Sequence, residues 1–84
     1  MTKQEFNKIV NEGLARGKNF MCIKMVSKKD INPRVLITQG GDIAATVKNI
    51  LKITDKDMIC KDNGDVIEDV LLTSNLNDLS WFVY

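Results

Sequence analysis

Eighty-four residues, 44% hydrophobic and 27% charged, make one small globular domain and exclude a disordered chain. Twelve lysines and arginines against eleven acids leave a net charge of +1, and the pI of 7.7 lies below the basic range of a nucleic-acid binder. Histidine is absent, which removes the commonest general base, the commonest metal ligand and the usual pH switch near neutrality.

Taken in chain order, Thr2-Lys3-Gln4-Glu5 has the form of a capping box, with Thr2 as N-cap and Glu5 reaching back. Phe6, Ile9, Val10 and Leu14 then recur at helical spacing, which predicts a first helix over about residues 3–16. Gly13 weakens that helix, and Gly17 is its expected stop. Residues 19–27 read as a strand that is apolar on both faces. Met21, Ile23 and Met25 alternate with Phe20, Cys22 and Val26, and Lys24 breaks the pattern. Such a strand is expected to be covered on both sides. A polar turn at 28–33 leads to a second strand at 34–39, which makes a hairpin with a six-residue loop.

Gly40-Gly41-Asp42 ends that strand, and Asp42 is expected to cap a second helix. The spacing of Ile43, Val47, Ile50 and Leu51 places that helix at about 43–53. A short strand is expected at 57–61, followed by the Asn63-Gly64 dipeptide, the strongest short hairpin signal. The run 66–73 reads in two ways. As a helix, Asp65 and Glu68 would form its capping box; as a strand, it returns from the Asn-Gly turn, and the strand reading is preferred. Residues 74–80 are polar punctuation with one helical turn around Leu76 and Leu79, and Trp81-Phe82-Val83-Tyr84 closes the chain as a short strand or a docked end. The order α-β-β-α-β-β predicts an α+β fold: a single domain over 1–84, with a four-stranded, mainly antiparallel sheet and two helices on one face.

Few residues carry recognisable chemistry. Cys22 and Cys60 each lie in an apolar run and read as small buried hydrophobes of a reducing compartment; a disulfide would require the two runs to be neighbours. No metal or cofactor is expected. The Gly40-Gly41 turn has neither the lysine nor the spacing of a phosphate loop, and Asp42 puts an anion where phosphate would sit. Asp62-Asn63-Gly64-Asp65 fails as a calcium loop, because a frame with Gly64 at the turn glycine puts Ile59 and Lys61 at ligand positions. Glu68 and Asp69 are adjacent, so on a strand they point apart and make no acid–base dyad. Hydroxyls at Thr38, Thr46, Ser74 and Ser80 have no histidine to activate them. An enzyme is therefore not expected, nor is direct nucleic-acid binding, since no aromatic platform accompanies the basic segment.

Charge is segregated along the chain. From Ala15 to Arg34 the bases Arg16, Lys18, Lys24, Lys28, Lys29 and Arg34 stand against Asp30 alone, whereas from Asp55 to Asp78 the acids Asp55, Asp57, Asp62, Asp65, Glu68, Asp69 and Asp78 stand against Lys56 and Lys61. Either the two regions neutralise each other across the fold or they form two interaction faces. The aromatic tail is likewise either core or interface, since Trp and Tyr most often anchor interfaces. The first functional expectation is a non-enzymatic protein-interaction module with a larger host protein or nucleoprotein complex as partner. Asp62, Asp65, Glu68 and Asp69 would supply charge, and Trp81 and Tyr84 the anchor. The style of the chain looks like that of small accessory proteins of bacteria and their phages, which would make it an inhibitor of a host defence protein, anti-CRISPR-like in manner. The alternative is a homo-oligomeric binder of a small anion such as a nucleotide, held by Lys24, Lys28, Lys29 and Arg34, with a homodimer seam at the tail. The opening Met1-Thr2-Lys3-Gln4-Glu5 carries no apolar leader and no long apolar stretch follows, so a cytoplasmic protein without a membrane segment is expected.

Overall fold

The computed structural model describes residues 1–27, 34–53, 56–61 and 64–82, the last three in their backbone alone. Helix α1 spans Lys3–Ala15 and starts as its capping residue predicts: Thr2 is extended and its Oγ1 accepts from the Glu5 N–H at 3.2 Å. The helix stops at Gly17, whose φ of +75° suits glycine. The Lys18 N–H donates to the Gly13 carbonyl at 2.9 Å and the Gly17 N–H to that of Leu14 at 3.1 Å, the paired bonds of a Schellman end. Phe6 and Val10 are buried, whereas Leu14, expected on the same face, is 39% exposed.

Strands β1 (Phe20–Val26), β2 (Arg34–Gln39) and β3 (Val66–Thr73) form an antiparallel sheet in the order β2-β1-β3. The central place of β1 accounts for its two apolar faces. On one face Met21, Ile23 and Met25 join Ile67 and Val70, and both helices close over them, α1 with Phe6 and Val10, α2 (Gly41–Ile53) with Ile43 and Ile50. On the other face Cys22 is buried beneath Leu79, with Phe20, Val35 and Leu71 packed around them. Leu79 belongs to a 3-10 helix at Leu76–Phe82. Its entry is fixed by Thr73, whose hydroxyl donates to Asp78 Oδ2 at 2.9 Å and accepts from the Asn75 N–H at 3.1 Å.

Three expectations need correction. The sheet has three strands among the described residues, and the fourth, expected at 57–61, is not one of them. That segment makes one bridge on each side, Met58 to Thr2 and Cys60 to Val66, too few on either side for a ladder. It still behaves as a strand in one respect, because Ile59 is fully buried in the core. Its N–H donates to the Met1 carbonyl and its carbonyl accepts from the Ile67 N–H. Asp42 is not the cap of α2 but lies within its first turn, after a turn at Gly40 with φ +62°. Of the closing residues, expected as a short strand or a docked end, Trp81 and Phe82 continue the 3-10 helix, and Val83 and Tyr84 lie outside the described residues.

Candidate interaction site

Among the described residues, an apolar groove of about 340 Å³ is lined by Met1, Val26, Ser27, Met58, Val66 and Glu68. Three chain segments build it. The Met1 nitrogen donates to the Ile67 carbonyl at 2.9 Å, the Lys3 N–H donates to the Asp57 carbonyl at 3.0 Å, and Val26 faces Val66 across the sheet. Met58 points out of this junction, because Ile59 beside it points in, and it remains 51% exposed. Glu68 stands at the wall because of a register slip between β1 and β3. Lys24 pairs with Asp69 and Met25 with Ile67, so Glu68 is the extra residue of a β-bulge. The bulge brings its Oε2 to 3.1 Å from Lys24 Nζ, and the Glu68 side chain keeps 53% of its surface in solvent.

The other charged candidates are dispersed. Asp65 does not face outward: its side chain is 3% exposed and its Oδ2 lies 3.1 Å from Arg34 Nη1. Arg34, a candidate for anion binding, is thus already opposite a carboxylate, as is Lys24. Asp69 is half-buried, and its Oδ1 accepts from the Val70 N–H at 2.8 Å. Lys28, Lys29, Asp62 and Tyr84 lie outside the described residues, and of Trp81 only the backbone is described. Among the described residues, the opposite charges of the two regions therefore meet across the sheet at Lys24 with Glu68 and at Arg34 with Asp65.

Sequence reasoning missed Met1, Val26, Met58 and Val66 as a surface. The signal was faint but present: Met58 and Cys60 alternate with Ile59, so one side of that short segment had to face outward. Nothing in the sequence announced the bulge at Glu68.

Chemically, the cysteines are free and unlike. Cys60 is half-buried, whereas Cys22 is fully buried and its thiol is pushed up to about 11 by burial, so it is no nucleophile near neutrality. Among the described residues no group of three or more His, Cys, Asp or Glu side chains could hold a metal ion, and no helix is long and apolar enough to cross a membrane. No protein-family model, curated protein or solved structure matches the chain.

Proposed function

We propose that this chain is a non-enzymatic protein-interaction module that docks a larger protein at the Met58–Glu68 groove. The observation that carries this reading is the half-exposed Met58 at an apolar groove with a half-exposed carboxylate on its wall. Interface centres are apolar and methionine-rich with charge at the rim, and a flexible thioether adapts to the side chain it receives. The partner surface would offer an apolar side chain beside a cation. A basic, nucleic-acid-binding groove on a host protein or nucleoprotein complex fits that description, which keeps a phage- or mobile-element-encoded inhibitor as the concrete version. Binding by charge and shape should weaken with added salt.

The anion-binding alternative has less support, since Lys24 and Arg34 would each have to leave a carboxylate 3.1 Å away. The test is retention of a bacterial protein on the immobilised chain, compared with Met58→Asp and Glu68→Lys. Both substitutions are at exposed positions, so the fold should survive, and retention should fall at least about tenfold for each. Unchanged retention by both variants would sink the reading. Thermal stabilisation by nucleotides, lost in Lys24→Gln, would favour the anion binder instead.

A further inference from the structure

We infer that β2 is an interface strand: two copies of the chain pair β2 to β2, antiparallel about a two-fold axis at Leu36, and join their sheets into one. The two edges of the sheet are treated differently, and that difference carries the inference. Natural sheets guard a free edge with charges, bulges or a covering segment. The β3 edge has all three: the bulge at Glu68, the carboxylate of Asp69 on the Val70 N–H, and a covering segment whose Ile59 carbonyl accepts from the Ile67 N–H and whose Lys61 N–H donates to the Asp65 carbonyl. Among the described residues the β2 edge has no bulge and no covering segment, and its one charge, Arg34, stands at its first residue. Its register with β1 is unbroken from Arg34 to Gln39, and no charged side chain lies between Val35 and Gln39. Ile37 stands 45% exposed on it, and no described residue pairs with its outer side.

The strand's own sequence fits a second copy of itself. Side chains alternate between faces, so only a register that sets a residue opposite its own copy keeps the helices of both chains on one face. Centred on Leu36, that register places Leu36 against Leu36 on the helix-bearing face, where it already packs on the core. It places Val35 against Ile37 twice on the other face, a β-branched pair of the kind that stabilises strand pairing. Arg34 then meets Thr38, so no like charges oppose each other. The pairing covers the exposed Ile37 and gives an 84-residue chain the extra burial that small domains lack.

Light scattering from about 10 µM to 1 mM should show a mass rising to twice the 9.5 kDa of one chain. Ile37→Lys puts two cations into the seam and should weaken association at least about tenfold, with an unchanged far-UV spectrum. Glu68→Lys should leave the mass as it is, which separates this interface from the groove. Should Ile37→Lys fail to fold, hydrogen exchange of the wild-type chain decides, because the amides of residues 34–39 should gain protection as concentration rises. A single-chain mass throughout the range overturns the inference and leaves the edge to an extended segment of another protein. A dimer that survives Ile37→Lys, or exchange at 34–39 that ignores concentration, overturns it as well.

Discussion

Gly13 sits where α1 comes closest to β3. A Cβ built there would lie 2.5 Å from Leu72 Cδ1 and 2.9 Å from Leu72 Cβ. The first atom could swing away, but the second is fixed to the strand, so the helix itself would have to move. Alanine gains about 0.8–1 kcal/mol of helix propensity over glycine. Overpacking a fitted core costs about 1–3 kcal/mol. The clash outweighs the gain in propensity, so Gly13→Ala should lower stability by about 1 kcal/mol in urea unfolding. A gain in stability would show that the helix is free to shift. Cys22 gives a second test at this scale. Its folded thiol holds its proton up to about 11, above the ordinary 9.0 of an unfolded thiol. The unfolded chain therefore binds fewer protons between those values, and stability falls as pH rises through that window. The stability advantage of wild type over Cys22→Ala should be fully present below pH 9 and shrink by about 2–3 kcal/mol by pH 11. In the native protein at pH 8, a thiol reagent should label Cys60 well before Cys22, and equal rates would contradict the burial.

At the scale of elements, the ion pairs are pins between segments. Lys24–Glu68 joins partners that are 26% and 53% exposed, and such pairs contribute only about 0–1 kcal/mol. Arg34–Asp65 differs, because Asp65 is buried while Arg34 is half-exposed. It ties the start of β2 to the turn before β3, across the end of β1. Removing the cation leaves a buried carboxylate without this partner, which for fully buried pairs costs about 3–5 kcal/mol. Solvent around Arg34 reduces that figure, so Arg34→Ala should cost about 2 kcal/mol, with Arg34→Ala/Asp65→Asn recovering part of the loss. A double variant less stable than the sum of its parts would refute the pairing as a pin. Secondary structure at this scale was largely legible in the sequence. The Thr2 cap, the Gly17 stop, the central strand with two apolar faces and the strand at 66–73 all rest on local chemistry and periodicity. The segment 57–61 was not legible as it stands, because a strand exists only through its neighbours, and here each side offers one bridge.

For the whole molecule, the division of charge along the chain turns into pairing across the sheet. The central strand β1 lies beside the acidic β3, with β2 on its other side, and Lys24 and Arg34 meet Glu68 and Asp65. Among the described residues, the same topology leaves one guarded edge, one open edge and a groove where the ends of three segments converge. By itself the sequence determined the composition class, the two helices, the first two strands and the absence of histidine, and it favoured strand over helix at 66–73, because these follow from residue identity and spacings of a few positions. Tertiary structure alone decided that Asp65 is buried rather than displayed, that Glu68 is thrown out by a bulge, and that Met1, Val26, Met58 and Val66 form one surface. These depend on register and on contacts between residues as far apart as Met1 and Ile67, and no local pattern encodes the distance between such positions.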